Sequence, residues 1–177
     1  MISSMNAQDF EIILFYKYVR IDDPLAVLAR EQAICKEFGL KGRTIIAREG
    51  INVTLEGTHE NIEKYLAHYF SDSRFLGTHI KRSVGTGEAF PKLSIKVRNE
   101  IVSGHLGSCD IDPNQVTGIH LKPEELHEWI HSKKEFYIVD MRNAYEHKIG
   151  HFDGSILPPM DNFRDLPNIV KTLEHLK

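Results

Sequence analysis

The sequence predicts a mixed α/β chain in two parts. An antiparallel sheet covered on one face by two helices comes first, and the opening elements of a parallel sheet follow. Three observations carry this. Strand-like apolar runs and helical stripes follow one another in the order βαββαβ, plus one extra strand, over the first hundred residues. Residues 99–120 hold Gly104, Gly107, Pro113 and Gly118 with few periodic apolar positions, the composition of a linker. Beyond it, Tyr137-Ile138-Val139 ends in Asp140, a short β-prone run with a carboxylate at its carboxyl end, where ligand crevices of α/β sheets lie.

Each element has a local reason. Glu11 to Val19 is a strand whose apolar run is too dense for a surface position. Asp23 then caps a helix with Pro24 in its first position, where the missing amide costs nothing. That helix runs to about Phe38, with Val27, Ile34 and Phe38 on one face, Leu28 and Cys35 beside them, and Gly39 as its left-handed stop. Arg43 to Ala47 and Asn52 to Glu56 are strands joined through Arg48-Glu49-Gly50-Ile51. Thr58 caps a second helix whose stripe is Ile62, Tyr65, Leu66, Tyr69 and Phe70. His79 to Val84 and Lys92 to Val97 are further strands. Between them, Gly85-Thr86-Gly87-Glu88-Ala89 lacks the Lys-Ser/Thr of a nucleotide-phosphate loop, so it is read as a flexible hairpin connection. The pattern is a split βαβ of ferredoxin-like type, with the sheet face opposite the helices free for a partner. In the second part, Pro123 opens a helix with Leu126, Trp129 and Ile130 as its buried stripe and Leu121 stapled against Leu126. A short helix over Ala144 to Lys148 and a strand Ser155-Ile156-Leu157 follow. The expected division is 1–98, a linker over 99–120, and 121–177.

Composition narrows the function classes. The chain has 177 residues, 41% hydrophobic and 27% charged, ordinary for a globular protein. It has no apolar run long enough to span a membrane and no signal-peptide pattern at its start. Two cysteines, Cys35 and Cys109, match no disulfide, metal or redox motif, and a reducing cytoplasm is the simplest setting. Cys35 is expected in the core, and Cys109, beside Asp110, has no activating cation. The net charge of −3 gives no global attraction to nucleic acid. Locally, however, Lys81, Arg82, Lys92, Lys96 and Arg98 face only Glu88, either as a solvated edge or as a surface for an RNA backbone.

The spacing Asp140-x-Arg142, Glu146, Gly150-His151, Gly154-Ser155, Pro158-Pro159 resembles the first half of a rhodanese domain. The runs Ala47 to Asn52, Phe90 to Arg98, Glu100 to Val102 and Ile111 to Gly118 extend the likeness over nearly the whole chain. The family it resembles is the rhodanese-containing tRNA hydroxylases, which convert wobble uridine to 5-hydroxyuridine. That resemblance implies a ferredoxin-like domain joined to a rhodanese-like α/β domain with a parallel sheet, tRNA as partner, and molecular oxygen as substrate. It implies no metal and no organic cofactor.

The resemblance also implies a reactive cysteine in a loop after the next buried strand, and the sequence reaches Lys177 before one. These 177 residues are therefore expected to be catalytically inert, with an ordered first domain and a labile second half. Asp140 and Arg142 would lie near that loop. For Arg142 and Glu146 the alternative is a structural ion pair, and for His151 it is packing in a turn rather than acid–base work. A rhodanese-type sulfurtransferase and a catalytically silent RNA- or protein-binding module are the competing functions.

Overall fold

A computed structural model describes residues 9–102, 112–160 and 163–176. The chain divides into two compact units, 1–102 and 103–177.

The first unit is built on five strands: β1 (Phe10–Tyr18), β2 (Lys41–Ala47), β3 (Gly50–Thr58), β4 (Lys81–Val84) and β5 (Leu93–Val97). They lie in the order β4-β1-β3-β2-β5. The four strands β4-β1-β3-β2 pair antiparallel, and β5 adds parallel to β2. Helices α1 (Pro24–Glu37) and α2 (His59–Phe70) cover one face. Asp23 caps α1 by accepting from the Leu25 and Ala26 amides, and Gly39 ends the helix at φ 63°. Thr58 caps α2 through the Asn61 amide.

Strand alternation sorts the residues between the two faces. Ile13 and Phe15 of β1, Ile51, Val53 and Leu55 of β3, and Ile46 of β2 meet Val27, Ile34, Cys35, Ile62, Tyr65, Leu66 and Tyr69 of the helices. Tyr69 stacks on Phe75 with ring centroids 4.6 Å apart. The reading of β1 as too apolar for a surface strand holds for only one of its faces. Leu14 and Tyr16 point the other way and are 43% and 50% exposed. An apolar run on a strand always puts half its residues on the second face, whatever covers the first.

Glu31 sits inside this core with no exposure, a position that the apolar stripe of α1 did not announce. Its carboxylate accepts from the Tyr65 hydroxyl at 2.8 Å, and Arg30 lies at 3.5 Å. Burial pushes the carboxyl group up, against the opposing pull of Tyr65 and Arg30.

The connection from β4 to β5 corrects the hairpin expectation. The two strands occupy opposite margins of the sheet, so the chain must travel across it. It passes over the face opposite the helices and is fastened there by Glu56. Glu56 Oε1 accepts from the Thr86 and Gly87 amides at 2.8 Å each, and Oε2 accepts from the Ala89 amide at 2.9 Å. Successive backbone amides converging on an anion form a nest, filled here by the protein's own carboxylate. Gly87 has φ +80°, and a Cβ there would meet the Phe10 ring at 2.9 Å, so both the backbone angle and the close approach require glycine.

The second unit contains α3 (Pro123–His131), α4 (Ala144–Ile149) and α5 (Leu166–Ile169). Glu125 accepts from the Lys122 amide and closes the start of α3. The expected stripe of α3 is only partly covered: Leu126 and Trp129 are half-buried and Ile130 is 49% exposed. Trp129 packs edge-on against Phe136, with Lys134 Nζ over its ring. The two anticipated strands make one parallel bridge, Val139 to Ile156. Ile169 is buried, Ile138, Val139 and Ile156 are partly covered, and Leu157 is exposed. Cys109 lies outside the described residues.

Candidate functional site

Among the described residues, two places are candidates for a functional site. The first lies in the second unit, where Val139 hands over to Asp140. A cavity of about 420 Å³ opens there, lined by Ile138, Val139, Asp140, Arg142, Gly150, His151 and Phe152. Arg142 grips Asp140 with two parallel bonds, Nε to Oδ1 at 2.9 Å and Nη2 to Oδ2 at 2.6 Å. The same Nη2 donates to the Gly150 carbonyl at 2.7 Å, and the Arg142 amide donates to Asp140 Oδ1 at 3.1 Å. Asp140 thereby closes a tight turn, and the guanidinium holds its carboxyl group down at about 2.

The structure corrects the expected Arg142–Glu146 ion pair. Glu146 instead accepts from the Asn143 amide and side chain at the start of α4, a capping arrangement in which Arg142 takes no part. His151 stacks on His147 with centroids 3.8 Å apart, and its Nδ1 lies 2.9 Å from the His147 carbonyl oxygen.

The second place is the sheet face opposite the helices. Registers of the strands lay its side chains out in two rows. Lys81, Leu14, Thr54, Arg43 and Ser94 form one, and Tyr16, Asn52, Ile45 and Lys96 form the next. The Gly85–Ala89 connection covers one end of this face over Glu56, and Lys41 Nζ donates to the Gly87 carbonyl at 3.0 Å. Ile101 covers the other end, its amide donating to Glu49 at 2.7 Å and its carbonyl accepting from Asn52 at 3.2 Å. The expected open face is therefore reduced to a band between two crossing segments. In that band Tyr16 and Leu14 are exposed, as are Lys81, Arg43 and Lys96.

The five residues of the anticipated basic cluster do not assemble. Lys81 and Arg82 belong to β4 at one margin, whereas Lys96 of β5, with Lys92 and Arg98 flanking that strand, stands at the other. Four strand spacings of ~4.8 Å separate the margins. Arg82 also points to the helix side, where it pairs with Glu11 at 3.0 Å and with Glu63 of α2. It sits among Glu11, His59 and Glu63, whose ligand atoms otherwise lie within 4.8 Å of one another, so a cation already occupies that acidic corner. Sequence reasoning missed Tyr16, Leu14 and Arg43. The alternation of β1 was the available signal for Leu14 and Tyr16, set aside because its dense apolar run was taken as unsuited to a surface, whereas Arg43 joins them only through strand register.

The first unit is thus an α/β sandwich of acylphosphatase-like, ferredoxin-like topology, extended by one parallel strand. The chain belongs to the family described as UPF0176 acylphosphatase like domain, which it matches over residues 10–101. It is 42% identical over 163 residues to a protein of Staphylococcus carnosus (strain TM300) named tRNA uridine(34) hydroxylase, covering 92% of this chain and 51% of that protein. A protein of the same name from Bacillus velezensis is 39% identical, over 93% of this chain and 50% of the relative. The chain spans about half the length of the curated relatives it matches. Among the described residues no helix is long and apolar enough to cross a membrane.

Proposed function

We propose that this chain forms the tRNA-holding part and the start of the catalytic domain of an enzyme that hydroxylates the wobble uridine of tRNA with molecular oxygen. The observation that carries this reading is the identity of 39–42% to relatives named tRNA uridine(34) hydroxylase from two bacterial genera, which runs through both units rather than one. In this reading residues 121–177 begin a rhodanese-like domain. The turn clamped by Asp140 and Arg142 stands beside a reactive cysteine loop supplied by the remainder of the protein. A loop of backbone amides would stabilise a thiolate there, and the Asp140–Arg142 ion pair, neutral as a unit, fixes the turn beside it. The reaction belongs to the cytoplasm, where tRNA is found.

The test is a chimera. This chain replaces the matched half of the Staphylococcus carnosus relative in a strain lacking that enzyme, and tRNA nucleosides are analysed by mass spectrometry. Restored 5-hydroxyuridine is the expected result. A stable, soluble chimera that yields none, or that instead transfers sulfur from thiosulfate, refutes the assignment.

A further inference from the structure

We propose that the exposed band on the sheet of the first unit is a platform for unpaired RNA, with a nucleobase stacked on Tyr16 and the flanking phosphates held by Arg43 and Lys96. The inference rests on the reading above, and it specifies the part of the tRNA that is held: the single-stranded nucleotides of the anticodon loop.

Three features argue for it. First, every charged side chain in the two rows is basic. The neighbouring acids stand outside the two rows: Glu56 in the amide nest at one end, and Glu49 at the Ile101 amide, with Glu100 near Tyr18, at the other. The side chains of Arg43, Lys81 and Lys96 make no hydrogen bond or ion pair among the described residues. The two rows thus carry three cations and no acid among them, side chains that phosphates fit.

Second, this strip runs beside Tyr16, half exposed in the middle of the sheet and held edge-on against Tyr18 with ring centroids 5.9 Å apart. Beside it, Leu14 is 43% exposed. A rigid aromatic ring on a strand, next to unpaired cations, is the arrangement that stacks bases without reading sequence. Four-stranded sheets of this topology bind RNA in that way when their central strands carry such rings. A duplex buries the π-faces of its bases in its own stack, so only unpaired nucleotides can use the ring.

Third, the segments over Glu56 and over Asn52 bound the band at both ends of the strands. A bound strand is thereby directed across the sheet, from the β4 margin toward β5. That path takes the backbone from Lys81 past Tyr16 to Arg43 and Lys96. The sequence-local cluster would have placed it along one edge.

The test measures binding of the 177-residue chain to a fluorescent anticodon stem–loop, with a fully paired hairpin of the same length as comparison, over a range of salt concentrations. The stem–loop is expected to bind more tightly than the hairpin. Tyr16→Ala is expected to weaken stem–loop binding by about tenfold or more, the effect of removing one base-stacking ring. Tyr16→Phe retains the ring and should stay within about twofold, on the same stacking argument. Arg43→Gln and Lys96→Gln should each flatten the slope of log affinity against log salt by about 0.7, one phosphate contact of a single strand. Lys36→Gln on α1 should change neither quantity.

Equal binding of hairpin and stem–loop, unchanged binding in a folded Tyr16→Ala protein, or no binding by the wild-type chain overturns the proposal. So does a Tyr16→Ala protein that keeps RNA affinity but loses thermal stability, which would mean that protein covers the ring. The two readings fail separately. A chimera with Tyr16→Ala that still restores full 5-hydroxyuridine removes the platform and leaves the enzyme. A chain that binds the loop through Tyr16 within an inactive chimera removes the enzyme and leaves the platform.

Discussion

Replacing Glu56 should unfasten the strap that crosses the sheet. Glu56 is 2% exposed, and its two oxygens accept three backbone amides, from Thr86, Gly87 and Ala89. Hydrogen bonds to an ionised group contribute about 1.5–3 kcal/mol each, so the gross interaction is several kcal/mol. The strap lies at the surface, and water would recover part of this once it lifts. Glu56→Ala is therefore expected to cost about 3 kcal/mol in urea unfolding. Glu56→Gln should cost less, about 1–2 kcal/mol, because its amide oxygen can still serve Thr86 and Gly87 while its NH2 group faces the Ala89 amide, donor against donor. Hydrogen exchange locates the effect: the amides of residues 86, 87 and 89 should lose protection before those of β1 and β3. If both variants unfold within ~0.5 kcal/mol of wild type, the spread of ordinary surface substitutions, and those amides exchange as before, the strap is not held by Glu56.

Other perturbations have equally definite outcomes. The raised Glu31 carboxyl group favours its neutral form in the folded state, so its contribution to stability is complete below the unfolded pKa and declines as pH rises through the folded value. Glu31→Gln should therefore gain on wild type between pH 4 and pH 8, by on the order of 1 kcal/mol in thermal or urea unfolding; a constant difference would contradict this. Asp72 behaves oppositely. Arg74 holds it at about 2, so its stabilising effect is present above the unfolded value and disappears as pH falls toward 2. Asp72→Asn should cost about 1 kcal/mol at pH 7, discounted for solvent screening, and almost nothing at pH 2. Cys35→Ala should cost about 1 kcal/mol in unfolding for a lost core side chain and leave RNA binding intact. Asp140→Ala in the chimera should lower hydroxylation by more than the fall in folded protein accounts for, and wild-type activity would leave Asp140 a purely structural turn residue.

Local chemistry was the legible part of the fold. Asp23-Pro24, Thr58 and Gly39 announced helix ends because a cap acts through its immediate neighbours, and each performs that role. The stripe of α2 was readable because one helix face was buried as a whole. What escaped notice depends on residues distant in sequence. The engagement of Glu56 with residues 86–89 spans some thirty positions, and a glutamate between Leu55 and Gly57 carries no sign of it. The clustering of Lys81, Arg82, Lys92, Lys96 and Arg98 in sequence implied proximity, but strand order separates them. In the second unit, Asp140 and Arg142 were legible as a motif, while the switch of Arg142 from Glu146 to Asp140 and Gly150 depends on turn geometry that spacing alone does not fix.

The margins of the sheet have a further consequence for how this protein behaves when crowded. The nine-residue strand β3 is flanked by β1 and β2 along nearly its whole length, and β1 is paired throughout with β3 and over Glu11–Leu14 with β4. The outward-facing edges belong to β4 and β5, four and five residues long, carrying Lys81 and Lys96. Short, like-charged edges repel a second copy approaching edge to edge and provide too few backbone groups to hold it. Without β5, the seven-residue β2 would stand at the rim with Thr44, Ile45 and Ile46 in its ladder, a β-branched segment suited to templating aggregation. The added parallel strand thus acts as a guard against misassembly, and deleting it should make the domain stick to itself.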